Sequence, residues 1–535
     1  MKWRAILLPA LIFIASLRPA LAVDTPTNIV TRVGDKSVVL HWDQNTDTNL
    51  AGYRVYRSSR ANGAFSLQDS KLLTSAGFCD LTAVNGRTNF YEIAVVDKKF
   101  HESARSAAVA AVANPFANTD QFLDFVQETD FDYFWYLANP TNGLVPDRSE
   151  PTSPCSIAAV GFGLTAIGIG IDHGWITRSQ GAARVATTLN TFLQGPQGTN
   201  ETGMMGYKGW FYHFLNMADG SRASASELSS IDTTLLLAGI LYDKQYFDGT
   251  NAEETSIREM ATAIFNRADW TWMSNETNAV CMAWYPVSGF VRNYWGGYCE
   301  GMIVYCLGLG SSTTPLPAST WNYWTSGYIW ATNYGQTYVN FPPLFSYEFS
   351  HCWIDFRNIA DSYMASHGTT YFENSRRAAL AQVTYCGSSP NPAINVGYSS
   401  NVWGLTSSDD PSGYTAHGIP PPGFDNGTIA PTAAAGAIVF TPEFSVPTLN
   451  YFYNHYREQL WTAYGFRDAF NPGKGWYDAD ELGIDQGPVV IMIENYRTER
   501  PWKVFMRNPE VQTGLQRAGF VALPLANSRA QAKPE

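Results

Sequence analysis

Hydrophobic residues change their spacing near residue 114, and this change divides the chain into two regions. Before it, short runs of alternating apolar and polar residues are separated by turn pairs such as Asn62-Gly63 and Asn85-Gly86. Such alternation predicts β-strands, and the turn pairs predict the loops between them. The predicted strands are residues 37–42, 53–57 and 89–96.

After residue 118 apolar residues recur every three or four positions, which predicts helices. The predicted helices cover residues 122–135, 231–242, 257–272, 301–309, 360–367, 372–385, 442–456 and 487–494. Thr441-Pro442 favours a helix start, with a capping hydroxyl and Pro at the first position. Long loops rich in Gly, Pro, Trp, Tyr and Asp join the helices, so we expect an α/α toroid with function in its loops.

The first 22 residues have the pattern of a secretory signal peptide. Lys2 and Arg4 precede an apolar run over residues 5–17, and Ala20-Leu21-Ala22 is a small-residue cleavage site. We therefore predict export to the periplasm or the extracellular space. The run is too short to span a bilayer, and no later run of 18 uncharged apolar residues follows, so no membrane span is expected.

The region of predicted strands resembles a fibronectin type III domain in its early Pro26, its strand Trp42 and its Tyr-x-Val-Tyr strand at residues 53–56. We expect it to be a spacer or packing partner, with a sugar-binding role as the alternative. The predicted segments are a signal peptide (1–22), the fibronectin-like domain (23–113), a linker (114–119), the helical domain (120–522) and a disordered tail (523–535).

Composition excludes several classes of protein. With 35 Lys and Arg against 47 Asp and Glu, the net charge of −12 argues against a nucleic-acid partner. The aromatic share of 14% includes many Trp and Tyr, whose rings suit sugars. The seven Cys contain no Cys-x-x-Cys pair and are predicted to be mostly buried free thiols, with one disulfide possible. No zinc-ligand spacing occurs among the eight His, so we expect no metal and no cofactor.

Four groups of loops combine carboxylates with aromatic residues or Arg. They are residues 142–150, residues 210–214 with 226–232, residues 347–357, and residues 403–410. A carboxyl group beside apolar rings holds its proton and can act as a general acid, and a solvated carboxylate can activate water. Glycoside hydrolysis needs such a pair. Structural roles remain open: Asp232 as a helix cap, Asp355 as an ion-pair partner, His351 as a hydrogen-bonding side chain.

The order of the motifs resembles the bacterial glucoamylase-like domain, glycoside hydrolase family 144. The motifs are Gly143–Arg148, Ser156–Leu164, Phe211–Phe214, Glu227–Thr233, Ser350–Phe356, Trp403–Thr406, Gly427–Pro431, Gly465–Pro472, Leu482–Pro488, Glu494–Arg497 and Phe505–Asn508. The resemblance implies a mainly α fold, an (α/α)6 barrel preceded by the small all-β sandwich. It also implies cleavage of β-1,2-glucan by an inverting mechanism.

Carried over by motif, the resemblance implies that Glu227 is the general acid and Asp409 the general base. Asp147 and Glu150 are implied as further catalytic carboxylates. The implied substrate-binding residues are Arg148, Trp210, Phe211, Tyr212, His213, Glu348, His351, Trp353, Trp403 and Asp485. Two departures occur. Asp410 stands where Gly is expected, which leaves the base open between Asp409 and Asp410, and Cys299 precedes Glu300 where a polar residue is more usual.

The sequence therefore supports the hypothesis of an exported, monomeric glycoside hydrolase that acts on β-1,2-linked glucan or its oligosaccharides. Two alternatives stay open. One is hydrolysis of another glucan linkage, including an α-glucan, and the other is a glycan-binding protein without catalysis.

Overall fold

A computed structural model describes residues 23–419 and 423–523. The predicted signal peptide, and the predicted tail beyond residue 523, lie outside the described residues. Within them the protein is mainly α-helical, with a small β region at the N-terminus.

The β region, hereafter the β module, consists of two antiparallel sheets, with strand orders β1-β2-β5 and β4-β3-β6-β7. Their strands are β1 (Val30–Gly34), β2 (Ser37–His41), β3 (Leu50–Ser58), β4 (Ser66–Leu67), β5 (Gly77–Asp80), β6 (Thr88–Asp97) and β7 (Val109–Val112). The alternating apolar residues form its core. In this core the rings of Trp42 and Tyr53 pack edge to face, with their centroids 5.2 Å apart. The three predicted strands coincide with β2, β3 and β6 and are confirmed.

The helical region begins at Thr119. Its helices are α1 (Thr119–Tyr136), α2 (Ile157–Asp172), α3 (Arg178–Gln194), α4 (Ser230–Tyr246), α5 (Ala252–Arg267), α6 (Trp270–Met273), α7 (Met302–Gly310), α8 (Ser319–Ser326), α9 (Phe349–Trp353), α10 (Ser362–Ser366), α11 (Tyr371–Ser388), α12 (Pro431–Gly436), α13 (Pro442–Leu460), α14 (Gly483–Arg497), α15 (Arg500–Phe505) and α16 (Pro509–Arg517). Short 3-10 helices cover Leu344–Tyr347, Ala437–Val439 and Pro472–Lys474.

Two sequence predictions about these helices need correction. The predicted helix 257–272 is two helices, α5 and α6, because the Asp269 side chain accepts a hydrogen bond from the Trp272 N–H and starts a new helix. Helix α13 does begin at Pro442, but the Thr441 side chain makes no capping hydrogen bond. Its hydroxyl donates to the carbonyl of Ala437 instead.

The helices divide into a buried and a partly exposed set. Helices α2, α4, α7, α9, α12 and α14 are buried on nearly all sides, whereas α3, α5 and α13 expose one face. A helix that is apolar all round belongs in a core. Helices α2 and α4 cross closely enough that a Cβ at Gly161 would lie 2.2 Å from the Leu235 carbonyl oxygen, so only Gly fits at this crossing.

The loops between the helices contain short strands. These are β8 (Cys155–Ser156), β9 (Gly206–Tyr207), β10 (Trp210–Phe211), β11 (Phe214–Leu215), β12 (Leu228–Ser229), β13 (Ala283–Tyr285), β14 (Gly289–Phe290), β15 (Trp330–Asn333), β16 (Gln336–Val339), β17 (Ile359–Ala360), β18 (Ser407–Asp410), β19 (Gly413–Ala416), β20 (Trp461–Thr462), β21 (Gly465–Phe466), β22 (Phe470–Asn471), β23 (Trp476–Tyr477) and β24 (Val521–Ala522).

The β module is fixed to helix α1 by a buried ionic cluster. Arg32 lies 2.6 Å from Glu128 and 2.7 Å from Asp132, and His41 Nε2 lies 3.1 Å from the same Asp132 carboxylate. The His41 ring also stacks on Tyr136 at 4.3 Å. The module is therefore packed against the helical region and is not a free spacer.

All seven cysteines lie within the described residues, and each is a free thiol there, six of them buried. The prediction of buried free thiols is confirmed. None of the helices in the described ranges has the length and apolarity that crossing a membrane requires.

Candidate active site

Five carboxylates lie in segments that lead into buried helices. Glu227 and Glu300 come just before α4 and α7, Asp485 lies in the first turn of α14, Asp147 lies in the loop before α2, and Asp409 lies on strand β18. The positive end of a helix dipole favours nearby negative charge, so the positions of Glu227, Glu300 and Asp485 suit carboxylates. The contacts below show that these loops meet in one site.

Backbone hydrogen bonds join the loop that contains Asp147 and Arg148 to the start of α14. The Gly483 N–H donates to the Asp147 carbonyl oxygen at 2.9 Å, and Arg148 pairs with Leu482 as an antiparallel bridge. The Asp147 N–H in turn donates to the carbonyl of Pro154 at 2.8 Å. These bonds place Asp147 and Arg148 beside the first turn that contains Asp485.

The Arg148 guanidinium engages both oxygens of Asp409. Its second terminal nitrogen lies 3.3 Å from Asp409 Oδ1, and its first terminal nitrogen contacts Oδ2. Its Nε lies 3.6 Å from Asp147 Oδ2. A fork of this kind fixes the orientation of a carboxylate.

Behind Asp409 lies a pair of buried carboxyl groups, Asp468 and Asp485. The Asp409 N–H donates to Asp468 Oδ2 at 2.6 Å. Burial and the Asp485 charge raise the pKa of Asp468 well above its usual value, so Asp468 keeps its proton and can donate it to Asp485. Burial raises the pKa of Asp485 to about 7, and the hydrogen bond from Asp468 limits that rise.

A cavity of about 10 Å³ lies next to this pair, lined by Thr432, Asp468, Asp485 and Gln486 among others. That volume is about the space of one water molecule. Apart from the proton that Asp468 can share with it, Asp485 Oδ2 has no hydrogen-bond partner among the residues that the structure describes, although Asp485 is only 5% exposed. Asp485 is therefore a buried, ionisable carboxyl group beside this cavity.

The carboxylate oxygens of Asp409, Asp468 and Asp478 lie within 4.8 Å of one another. Oxygen donors at this spacing could hold a hard cation. Shared protons account for the same proximity, because burial raises the pKa of Asp478 to about 7, and the charge of Asp409 adds to this rise.

On the other side of the site His213 lies between two carboxylates. Its Nδ1 is 2.9 Å from Glu227 Oε1, and its Nε2 is 3.5 Å from Asp232 Oδ1. Burial opposes the charged imidazolium, but Asp232 and Glu227 outweigh it and raise the pKa of His213 to about 9. Burial would likewise raise the pKa of Glu227, but the bond and charge of His213 lower it below its usual value.

Glu300 is the strongest acid candidate that sequence reasoning missed. It is partly exposed just before helix α7, and burial raises its pKa to about 7, with the Asp232 charge adding to the rise. The Ser346 hydroxyl lies 3.5 Å from Glu300 Oε2 and works against the rise. The sequence signal was a Glu at the start of an apolar helix, but the preceding Cys299 made the stretch resemble core.

Asp147 connects the two sides of the site. Burial raises its pKa, the charges of Arg148 and His213 lower it, and those of Asp232 and Asp409 raise it further. A group that senses both His213 and Asp409 lies between them. The His213 side and the Asp409 side of the site therefore both approach Asp147.

Comparisons with known proteins show the family to which the chain belongs. The family model described as "Putative glucoamylase" matches residues 292–509. A protein of Parabacteroides distasonis named "Exo beta-1,2-glucooligosaccharide sophorohydrolase (non-reducing end)" is 30% identical over 542 residues, which cover 94% of this chain and 72% of that protein. The chain belongs to glycoside hydrolase family 144, the glucoamylase-like family.

Solved structures place this family 144 chain among glycoside hydrolases. A β-1,2-glucanase structure from Parabacteroides distasonis aligns with a TM-score of 0.83 and 28% identity, covering 94% of this chain and 73% of that one. An endo-β-1,2-glucanase from Chitinophaga pinensis aligns with a TM-score of 0.70 and 29% identity, covering 76% of this chain and 99% of that one. The protein is a glycoside hydrolase, as the sequence predicted.

The structure corrects the predicted sugar-binding roles of seven residues of this hydrolase. All are at most 1% exposed, so none forms a surface that a sugar can reach; they are Trp210, Phe211, Tyr212, Glu348, His351, Trp353 and Trp403. Trp353 donates to the Thr165 hydroxyl at 2.9 Å and stacks on Phe162. Burial lowers the pKa of His351 to about 3, so its imidazole is a neutral core group.

Glu150 and Asp410 also lie elsewhere than expected. Glu150 is exposed and lines a cavity of about 230 Å³ between the β module and the first loop of the family 144 domain. Asp410 is 5% exposed and binds Asn426 and His417, away from Arg148. Of the predicted site residues, those that share the site are Asp147, Arg148, His213, Glu227, Asp409 and Asp485.

Proposed function

We propose that this family 144 enzyme hydrolyses β-1,2-linked glucan or its oligosaccharides by an inverting mechanism. The relatives from Parabacteroides distasonis and Chitinophaga pinensis are named as β-1,2-glucan hydrolases, and they align over 94% and 76% of the chain. The observation that carries the chemistry is the presence in one site of two carboxyl groups, Glu300 and Asp485, whose pKa values are both about 7.

We assign the general acid to Glu300 in place of Glu227. A general acid must hold a proton at neutral pH and lose it during the reaction, which requires a raised pKa. Burial gives Glu300 that pKa, whereas the imidazolium of His213 keeps Glu227 ionised. The ionised Glu227 can instead accept hydrogen bonds from sugar hydroxyls.

We assign the general base to Asp485, with Asp409 as the second candidate. Both oxygens of Asp409 are engaged by Arg148, so neither is free to bind a water. Asp485 shares a proton with Asp468 and lies beside a cavity with room for about one water molecule. Asp409 then serves to hold Arg148 and the β18–β19 hairpin.

The proposed reaction uses the pair in one step. Glu300 gives its proton to the glycosidic oxygen as the C1–O bond breaks, and a water that loses a proton to Asp485 attacks C1 from the opposite face. The product sugar carries an inverted anomeric configuration. Arg148, which contacts both Asp147 and Asp409, holds these carboxylates in place while the positive charge develops on the sugar.

We further propose that the enzyme acts from the non-reducing end. The Parabacteroides distasonis relative, whose name states this mode, aligns over 94% of the chain, including the β module. The Chitinophaga pinensis endo-enzyme aligns over 99% of its own length with only 76% of this chain. Almost none of that enzyme is therefore left to match the β module. In this protein the module approaches the first loop, where Asn45 and Tyr53 face Ser149 and Glu150 across a cavity.

Three architectural expectations complete the proposal. The six buried helices would form the inner ring of an (α/α)6 barrel, and the two-sheet β module would be of fibronectin type III. The signal-like first 22 residues support export to the periplasm or beyond.

Product analysis tests the substrate. Purified enzyme is incubated with β-1,2-glucan, β-1,3-glucan, cellulose oligosaccharides and soluble starch, and the products are resolved by chromatography. Release of a β-1,2-linked disaccharide from β-1,2-glucan alone is expected. Release of sugar from another polymer would redirect the proposal, and binding without release from any polymer would favour a glycan-binding protein.

Variants test the base. Asp485→Asn is expected to lose about 10³-fold or more in kcat, whereas Asp409→Asn mainly raises KM by loosening Arg148. The reverse order would return the base to Asp409.

A further inference from the structure

The hairpin of strands β18 and β19 places an aromatic ring beside Asp409. In its antiparallel register Asp409 lies directly opposite Tyr414. Side chains of directly opposed residues project from the same face of a sheet, with Cβ atoms about 5 Å apart. Tyr414 therefore projects to the side of the hairpin on which Asp409 meets Arg148.

The Tyr414 side chain is open to solvent yet surrounded by the active site. The residue is 55% exposed. Burial nevertheless raises the pKa of its hydroxyl well above the usual value, and the charges of Asp485, Asp468, Asp147 and Asp409 add to the rise. An exposed ring with these neighbours lies beside the acidic groups of the site. Its hydroxyl stays protonated and can only donate or accept a hydrogen bond.

Asp410 fixes this hairpin from the opposite face. Its carboxylate accepts hydrogen bonds from the Ser412 N–H at 2.5 Å and from Asn426 Nδ2 at 2.8 Å, and His417 Nε2 lies 3.3 Å away. Adjacent residues of a strand point to opposite faces, so Asp409 faces the site while Asp410 faces the protein. The additional carboxylate in the Asp409-Asp410 pair is thus a structural anchor.

We propose that Tyr414 contacts the substrate, its ring packing against a glucosyl unit bound over Asp409 and Asp485, and that Asp410 is the positioning residue that holds Tyr414 there. The apolar face of a pyranose packs well on an aromatic ring, and the tyrosine hydroxyl reaches a sugar hydroxyl at the ring edge. This inference rests on the proposed function, since it requires a glucan in this site. None of the buried Trp residues predicted from the sequence can take this role.

Binding of β-1,2-linked gluco-oligosaccharides is measured by calorimetry in a Glu300→Gln background, which prevents turnover. Tyr414→Ala is expected to weaken binding roughly tenfold or more, because both ring and hydroxyl are lost. Tyr414→Phe keeps the ring and is expected to lose only about threefold. Tyr323→Ala on helix α8, where Tyr323 is 42% exposed, is the matched control and leaves binding unchanged.

The role of Asp410 is tested by measuring KM and kcat separately for variants at this residue. Asp410→Ala is expected to lower the thermal midpoint, because its buried partners lose their acceptor, and to raise KM several-fold with kcat nearly unchanged at temperatures where the variant is fully folded. Asp410→Asn keeps one acceptor oxygen and restores most of the loss. A uniform fall in activity that follows the thermal midpoint would mean that Asp410 has only a structural role.

The outcomes separate this inference from the proposed function. Parent-like affinity in Tyr414→Ala, with the Glu300→Gln protein still binding oligosaccharides, would overturn the role of Tyr414 and leave the function intact. Failure of the Glu300→Gln protein to bind any β-1,2-linked oligosaccharide would overturn both.

Discussion

The Nδ1 atom of His213 lies 2.9 Å from Oε1 of Glu227. The imidazole also faces Asp232, and its raised pKa of about 9 keeps it charged near neutral pH. A carboxylate held by a charged donor is a poor proton donor, because the pair is most stable when the carboxylate is ionised. This contact is the reason why we propose Glu300, and not Glu227, as the general acid.

The acid assignment predicts different effects for two matched substitutions. Glu300→Gln should lose about 10²- to 10⁴-fold in kcat on β-1,2-glucan, because the leaving oxygen is no longer protonated. The loss should be far smaller on an aryl glycoside, whose leaving group needs no proton. Glu227→Gln should raise KM and affect both substrates alike. If Glu227→Gln instead loses activity on β-1,2-glucan but keeps it on the aryl glycoside, Glu227 is the general acid.

The pKa values of about 7 for Glu300 and Asp485 predict a narrow pH optimum near neutrality. Activity should fall as pH rises, because Glu300 loses the proton that it must donate, and fall as pH drops, because Asp485 gains one. The profile of kcat/KM between pH 4 and 10 measures both limbs. In Glu300→Gln the remaining kcat/KM should no longer fall at alkaline pH. An unchanged fall would mean that another group causes the alkaline limb of the profile.

The buried ionic cluster between the β module and helix α1 predicts that Arg32→Met lowers the stability of the protein strongly. Arg32→Met leaves Asp132 and Glu128 without their partner, and the Asp132 side chain is fully buried. Such a loss costs about 3–5 kcal/mol. Arg105→Met is the control, since Arg105 is 40% exposed and 3.4 Å from Glu92, and it should cost less than about 1 kcal/mol.

Thermal melting of the Arg32→Met and Arg105→Met variants provides the measurement. Equal shifts in the two variants would show that the cluster does not stabilise the protein. Adding Asp132→Asn to Arg32→Met should recover part of the loss, because the buried charge is then removed.

His173 predicts how stability depends on pH. Burial would lower its pKa, but bonds to Asp124 and Glu494 raise it from 6.5 to about 9. A raised pKa in the folded state stabilises the protein fully below pH 6.5, and this contribution is lost as pH rises through 9. The gap in melting temperature between the parent enzyme and His173→Gln should therefore narrow from pH 6 to pH 9.5. His101→Gln, at an exposed residue, is the control, and a constant gap for His173→Gln would contradict the assignment.

Patterns local in the sequence were enough to predict much of the fold. Alternation predicted β2, β3 and β6 because one face of each strand is buried, and recurrence of apolar residues predicted α7, α11 and α13. The helix over residues 257–272 was wrong because apolar spacing continues across the cap at Asp269. Caps depend on one side chain and are hard to detect within an apolar run.

Burial could not be predicted from residue type. Trp210, Trp353 and Trp403 have the composition of a sugar platform, but each is fully buried, whereas the open ring in the site is Tyr414. Core packing and sugar binding select the same residue types, so only the tertiary arrangement distinguishes them. Glu300 could not be identified from the sequence because its raised pKa depends on burial and on the charge of Asp232, which is distant in the sequence.

The measurement that tests the central claim most directly is a proton NMR time course of β-1,2-glucan digestion. It identifies the released sugar and the anomer that forms first. The account predicts a β-1,2-linked disaccharide that appears first as the α-anomer and then mutarotates, with Glu300→Gln releasing almost none. First appearance of the β-anomer would contradict inversion, and no release from β-1,2-glucan would contradict the proposed function.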